Sequence, residues 1–420
     1  MEQVYEVLNM MLPRFFRLLP GETPSLPAAA KPVRWLPGFY CVPGRIPMSS
    51  VGDASRGVYA MDAASGLVVQ ALMERAHTSE TLETVLDLCC CPGSKFQLIS
   101  EMMTALSKGG GGIAVGVDNS IRRLELCRAL LQKTMQFTAK SGQGDQSCRQ
   151  VLFHCDGTNF DVHSPASMGT LFFDSSVMEK ELAERDGTGR KRINKSAKGR
   201  EMKRLRLISQ VVEATTLFDR VLVDAECSHT GSYRHMRFVA HHTGDVDETA
   251  AQLKPNAADS FRNEARIATL GELQRNLAHK GFSLLKPGSG RMIYSTCCLD
   301  PSQNEDVVQW LLDTEPTCRV VLLEEKAISP PHPMSSPSTL SNDERDLCAS
   351  LLQMADAELV AFHGTLTPAQ AVHLSDQVCV YVAEQEEGPL KSGRFKGTFM
   401  LTRSGGTSGM FFAIFSKSGA

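Results

Sequence analysis

Residues 84–99 read TVLDLCCCPGSKFQLI. The run over 84–88 is short and apolar apart from Asp87, which suits a parallel strand buried on both faces. It stops at a Pro-Gly-Ser turn, after which KFQLISEMMTA, 95–105, has the apolar spacing of a helix. A strand that enters a glycine turn and leaves as a helix lets backbone approach a ligand closely. It also offers the free N–H groups of a helix start. The turn is neither G-x-G-x-x-G nor a P-loop, which argues against NAD and ATP.

The same alternation extends outward. IAVGVD (113–118), VLFHCD (151–156), RVLVD (220–224) and RMIYST (291–296) read as strands. IRRLELCRALLQK (121–133), residues 264–285 and NEDVVQWLL (304–312) read as helices. Strands alternating with helices imply a Rossmann-like, doubly wound, mostly parallel α/β sheet. Asp118, Asp156 and Asp224 each end a strand, and ligands of such sheets sit at the carboxyl ends of strands. One such aspartate would be read as a helix cap; three at successive strand ends favour a shared ligand site. Asp118 is placed to accept from a ribose and Asp156 from an adenine amino group, so an adenosine-bearing cofactor fits.

The chain has 420 residues, 42% hydrophobic and 22% charged, with a net charge of −3. These are ordinary values for a globular protein, and the net charge does not announce a nucleic-acid binder. A local patch exists, however: nine of the residues from Arg190 to Arg206 are Lys or Arg and only Glu201 is acidic. That stretch could grip phosphate, act as an import signal, or be a solvated loop. No stretch is apolar for long enough to span a bilayer. The N-terminus, with Glu2 and Glu6, matches neither a signal nor a transit peptide. The 13 cysteines are scattered or adjacent, and no C-x-x-C pair occurs. Reduced thiols in an intracellular protein are therefore expected, without a metal site, and the compartment stays open between nucleus, nucleolus, cytoplasm and mitochondrion. Residues 1–56 read as an extension wrapped on the core, with Arg/Lys-bearing stretches that could meet RNA. Residues 57–318 with 396–420 form the main domain, with a basic insertion at 161–217. Residues 319–395 read as a variable insertion, with a proline- and serine-rich surface loop over 328–345.

Five segments in order carry a resemblance: LCCCPGSK (88–95), GVDNSIRRL (116–124), HCDG (154–157), VLVDAECSHTG (221–231) and GRMIYSTCCLDPSQNED (290–306). They resemble the first, second, third, fourth and sixth motifs of the Sun-type (NSUN) RNA cytosine-5 methyltransferases, relatives of bacterial rRNA cytosine methyltransferases. GVYAMDAAS (57–65) resembles the segment before the first motif. LPRFFRLL (12–19) and GGTSGMFFAIFSK (405–417) are fainter echoes of the family's N-terminal and final strands.

The resemblance implies a class I S-adenosylmethionine-dependent methyltransferase that makes 5-methylcytosine in rRNA or tRNA; no membrane partner is expected, and the oligomeric state stays open, with a monomer favoured. Cys297 would be the nucleophile that adds to carbon-6 of cytosine, making carbon-5 able to attack a methyl group. Cys227 would help to break the adduct, and Asp224 would bind or protonate the base edge. Cys89 begins the cofactor motif, and Cys90, Cys91, Pro92, Gly93, Ser94 and Lys95 would surround the methionine end, with Asp118, Arg123, Asp156 and Asp224 completing the cofactor site. Lys95 would also help to lower a thiol pKa. Cys127, Cys298, Cys348 and Cys379 read as small buried hydrophobes, and Cys89 leans the same way. Arg234, His235 and Arg237 are placed to meet RNA beside the fourth motif.

Two departures stand out. The fourth motif normally has proline before its cysteine, and Glu226 occupies that place, where a carboxylate is expected to raise the Cys227 pKa. Cys90 and Cys91 stand where alanines are usual. One rival function is a non-catalytic RNA-binding ribosome-assembly factor that keeps the fold. DNA methylation is another, but family DNA enzymes carry a Pro-Cys nucleophile that is missing before Cys227.

Overall fold

The computed structural model describes residues 2–19, 26–53, 56–74, 84–106, 112–140, 148–162, 164, 167–176, 217–232, 264–322, 339–385, 390–402 and 406–419. The basic stretch at 189–207 and Arg234, His235 and Arg237 lie outside them.

The chain opens with α1 (Glu2–Met11), β1 (Arg14–Leu18), β2 (Lys31–Pro32), β3 (Phe39–Val42), α2 (Met48–Val51) and β4 (Val58–Ala60). β1–β4 form a small antiparallel sheet in the order β2-β3-β1-β4. There follow α3 (Ala63–Met73), β5 (Thr84–Asp87), α4 (Ser94–Leu106), β6 (Ile113–Asp118), α5 (Ile121–Lys140), β7 (Arg149–His154) and β8 (Thr170–Asp174). Then come β9 (Arg220–Asp224), α6 (Glu264–Ser283), β10 (Arg291–Thr296), α7 (Glu305–Thr314) and β11 (Cys318–Val320). The last elements are α8 (Asn342–Gln353), α9 (Asp356–His363), α10 (Pro368–Glu384), β12 (Leu390–Ser392), β13 (Thr398–Leu401) and β14 (Met410–Lys417).

The main sheet runs β12-β13-β14-β10-β9-β5-β6-β7-β8, with β11 beside β14. β10, β9, β5, β6 and β7 are parallel. This is the doubly wound sheet that the alternation implies. The strands of the parallel core are apolar on both faces because helices cover both: every residue of β5 and β6 is buried. After β5 the chain goes to β6 and β7 on one side, then to β9 and β10 on the other. The order therefore reverses at β5, and the crevice outside the carboxyl ends of β5 and β9 is the expected ligand site.

Some expectations are corrected. The third strand ends at His154, two residues before Asp156. The reason is local: Asp156 Oδ1 accepts from the Thr158 backbone N–H at 2.9 Å and its hydroxyl at 2.8 Å, a turn that ends pairing. β8 is antiparallel to β7 and is pinned there by a fork from Arg149 to Asp174, at 3.1 and 2.9 Å. β11–β14 add a second antiparallel flank. Residues 342–345 of the expected loop are helical, because Ser341 and Glu344 form a capping box that starts α8.

The N-terminal sheet and helices α8–α10 form one body. The Trp35 indole donates to the Val382 carbonyl at 3.2 Å and the Arg34 backbone N–H to that of Ala383 at 2.9 Å. Cys41 and Cys379 pack sulfur to sulfur at 3.5 Å, and the Ser375 hydroxyl caps the end of α1 at Met10. A buried ion pair between Arg17 on β1 and Glu101 on α4 ties this body to the sheet.

Candidate active site

β9 ends in Asp224 and its continuation runs Ala225, Glu226, Cys227, Ser228, His229. β10 lies parallel beside β9 and continues into Cys297 and Cys298. Parallel pairing brings residues about 70 positions apart to the same level, so the two loops meet. The Ala225 N–H donates to the Ser295 carbonyl and the Gly231 N–H to that of Cys297, at 3.1 and 2.9 Å. Gly231 allows this approach, since a Cβ there would lie 2.9 Å from the Cys297 carbonyl oxygen.

At this junction the Cys227 and Cys297 sulfurs are 3.2 Å apart. The His229 Nδ1 is 2.9 Å from the Cys297 sulfur and 3.7 Å from that of Cys227. The Cys227 thiol is held well above its ordinary pKa, first by its hydrogen bond with Cys297 and then by burial, while His229 pulls the other way. Expected as the culprit, the Glu226 carboxylate instead turns outward, 3.7 Å from Arg266, and its carbonyl accepts from Gln274 at 2.7 Å. For His229, burial opposes the charged form. The bond to Cys227 and the charges of Cys227, Glu226 and Asp224 outweigh it and raise the pKa.

Cys298 is more than a small apolar filler. Its sulfur lies 3.0 Å from the Ser228 hydroxyl and 3.3 Å from that of Thr230, and it accepts from the Asp300 N–H at 3.2 Å. Gln303 completes the clamp: its amide oxygen accepts from the Ser228 N–H at 2.9 Å and its NH2 donates to the Ser228 hydroxyl at 2.9 Å. Thr296 donates to Asn304 at 2.6 Å, and Asn304 donates to the Cys298 carbonyl at 2.9 Å. Both loops are thus fixed by a network of buried polar groups.

Asp224 is gripped from two sides, by Lys95 Nζ at 2.7 Å and by the Ser295 hydroxyl at 2.7 Å. Burial works against the Lys95 charge, but Asp224, Cys297 and Asp87 hold its pKa above the ordinary value. Asp87, at the end of β5, is fully buried and accepts from the Cys89 N–H at 3.1 Å. Burial, then the Asp224 charge, push its carboxyl well above the usual range. Asp118 is also buried. It takes the Ser120 N–H at 2.9 Å and lies 3.6 Å from Arg123, which in turn donates to the Cys91 carbonyl. The Cys90 N–H donates to the Val117 carbonyl at 3.0 Å, so the turn over 89–93 lies against the end of β6. Gly93 adopts φ +110°, and a Cβ there would lie 2.8 Å from the Cys127 sulfur.

The structure therefore gathers Cys227, Cys297, Asp224 and Lys95 at the ends of β9 and β10, and Cys89, Cys90, Cys91, Pro92, Gly93, Ser94, Asp118 and Arg123 at the ends of β5 and β6. Asp156 is exposed and spends both carboxylate oxygens on its own turn, Oδ1 on Thr158 and Oδ2 on the Asn159 side-chain amide at 3.3 Å. Cys90, Cys91 and Cys127 offer three sulfurs within 4.8 Å of one another, as Cys227, His229 and Cys297 offer two sulfurs and a nitrogen. In both groups the same atoms hydrogen-bond one another, which accounts for their closeness. All 13 cysteines are free thiols. Among the described residues, no helix is long and apolar enough to cross a membrane. His229, Ser295 and Gln303 were not singled out by sequence; the one signal for His229 is its place two residues after a strand-end cysteine.

Comparison with known proteins bears out the resemblance. Residues 248–333 match the family model "16S rRNA methyltransferase RsmB/F". The chain is 26% identical over 253 residues to the ribosomal RNA small subunit methyltransferase F of Pectobacterium carotovorum subsp. carotovorum, 60% of this chain and 34% of that protein. It is 33% identical over 99 residues to the mouse (Mus musculus) tRNA (cytosine(72)-C(5))-methyltransferase NSUN6, 24% of this chain and 16% of that protein. The chain thus spans about a third or less of the length of these curated relatives. A solved structure described as PH0851 shares the fold at TM-score 0.53 and 15% identity, over 99% of this chain and 62% of that one. The architecture is that of a class I methyltransferase.

Proposed function

We propose that this relative of the Sun-type methyltransferases methylates carbon-5 of a cytosine in RNA, rRNA or tRNA, with S-adenosylmethionine as the donor. The observation that carries the reading is the meeting of Cys297, Cys227 and Asp224 where the parallel strands β9 and β10 end, beside the switch point of the sheet. The names of the relatives, rRNA and tRNA methyltransferases, support RNA as the substrate.

The residues present fit the donor. Asp118 is a buried carboxylate that accepts from the Ser120 N–H, and a carboxylate can accept about four hydrogen bonds, which leaves capacity for a ribose diol. Asp118 and Asp224 place carboxylates at the strand ends, a setting that suits a positively charged sulfonium. The turn over Cys89–Ser94 and Lys95 would hold the amino-acid end, Asp118 and Arg123 the ribose side, and Asp156 the base. When bound, S-adenosylmethionine supplies the methyl group as a cation.

The chain's own residues supply the rest. The Cys297 sulfur forms a bond to carbon-6 and the ring's double-bond electrons move to carbon-5, which becomes the nucleophile. Asp224, fixed by Lys95 and Ser295, binds the base edge. A proton then passes from carbon-5 to solvent, its electron pair restores the ring double bond, and the Cys297 sulfur leaves as a thiolate, which the Cys227 thiol 3.2 Å away stabilises by a hydrogen bond.

Bisulfite sequencing of RNA from cells with and without the gene tests the reading, together with methylation of that RNA by the purified chain. One protected cytosine should vanish without the gene, and Cys297→Ala should abolish activity. RNA binding with no methyl transfer at any cytosine would instead favour an assembly factor.

A further inference from the structure

We propose that His229 is a catalytic residue that takes the Cys297 proton and keeps that sulfur as a thiolate ready to attack. This rests on the reading of Cys297 as the nucleophile. In the step, the Cys297 S–H bond breaks, an N–H bond forms at His229 Nδ1, and the electron pair stays on sulfur. No further reactant is needed.

The geometry sets the direction. His229 Nδ1 is 2.9 Å from the Cys297 sulfur, inside ordinary hydrogen-bond reach, but 3.7 Å from that of Cys227. Cys227 lies 3.2 Å from Cys297 and has its thiol stabilised by that contact, so it serves as the donor to a Cys297 thiolate. Cys297 thus sits between an imidazolium and a thiol, both directing hydrogen at it.

The backbone supports the same assignment. Among the described residues, His229 is the one non-glycine residue with positive φ, at 59°. Such a conformation is uncommon and persists where the surroundings impose it. Here the turn is imposed from both ends: the Ser228 N–H is held by Gln303, and the Ser232 N–H donates to the His229 carbonyl at 3.0 Å. The effect is to aim the imidazole at a sulfur contributed by the neighbouring strand. A histidine serving only as core filler would need neither the strained backbone nor that contact.

The groups that bear on His229 are Cys227, Glu226 and Asp224 from its own strand end and Cys297 from β10. Lys95 on α4 adds positive charge near Cys297. Cys227, Glu226 and Asp224 raise the His229 pKa, so a thiolate–imidazolium pair with Cys297, 2.9 Å away, should persist from mildly acidic pH up to the point where the imidazolium deprotonates.

The test is the rate at which iodoacetamide alkylates Cys297 from pH 5 to 9. It is read by mass spectrometry of the Cys297 peptide, without RNA or cofactor. The chain with His229 should show a reactive plateau well below the free-thiol pKa of about 8.5. His229→Asn, a residue that tolerates positive φ, should lose the plateau and react at least about tenfold more slowly at pH 6.5. In His229→Gly, added imidazole should restore part of the rate, which a purely structural histidine would not allow. Unchanged profiles in His229→Asn with an unchanged melting temperature would overturn the proposal. So would one equivalent of zinc bound per chain and lost in both variants. If the plateau depends on His229 but no RNA cytosine is methylated, the dyad stands and the proposed reaction falls.

Discussion

Cys227 is the residue whose role can be separated most cleanly from that of its neighbour. With a thiol 3.2 Å from Cys297, Cys227→Ala should leave adduct formation intact and impair release. A protein–RNA band stable on denaturing gels should then accumulate, and normal turnover by the variant would remove Cys227 from the release step. Asp87 makes a different prediction. Its carboxyl is raised by burial and by Asp224, so the folded chain retains a proton that the unfolded chain gives up above about 3.8. A raised acid pKa means that the folded state binds more protons, and stability therefore falls as pH rises above that value until the folded carboxyl ionises. Asp87→Asn should flatten this slope, seen as a smaller difference between urea midpoints at pH 5 and pH 8. Of the residues that meet beyond β9 and β10, Cys297 was legible because it follows its apolar strand directly, and Cys227 because it lies three residues past the end of another. His229 was not: its partner lies 68 positions away, and only the parallel pairing of β9 with β10 brings them together. Asp87 was visible, but its burial depends on β6 and β9 flanking it.

The loops after β9 and β10 work as one element because Gln303, at the turn before α7, bonds both backbone and side chain of Ser228. Gln303→Ala would leave the buried Ser228 N–H without its acceptor, which costs about 1–3 kcal/mol. The expected result is a lower melting temperature with faster amide exchange at Ser228 and His229, and a larger loss of Cys297 reactivity than of stability. The strands that hold the site were readable because each of β5, β6, β9 and β10 is an unbroken apolar run, the pattern forced on a strand covered on both faces. The flanking strands were not. β12 is three residues with two exposed, and β8 depends on Arg149 meeting Asp174 across a turn that neither segment announces. Likewise α8 begins inside a proline- and serine-rich stretch through a cap pair, Ser341 and Glu344, that overrides its composition.

At the scale of the molecule, residues 2–60 and 342–384 share one apolar body, though nearly 300 positions separate them. Val382 is fully buried against this joint, next to the Trp35 indole. Val382→Asp would bury an unpaired charge there and should destabilise by roughly 3 kcal/mol. In a Trp310→Phe background, the fluorescence of Trp35 should shift to longer wavelength at temperatures where the unsubstituted chain keeps its emission. No composition or periodicity pointed to this joint, since its halves are short elements with ordinary propensities. The position of β14 carries a consequence for how the protein is made. It is inserted between β10 and β13, antiparallel to both, so the edge of β10 stays bare until residues 410–417 have left the ribosome. A nascent chain stalled before that point presents an open, apolar strand edge to whatever binds such edges, and its folding should be the stage most sensitive to loss of a chaperone.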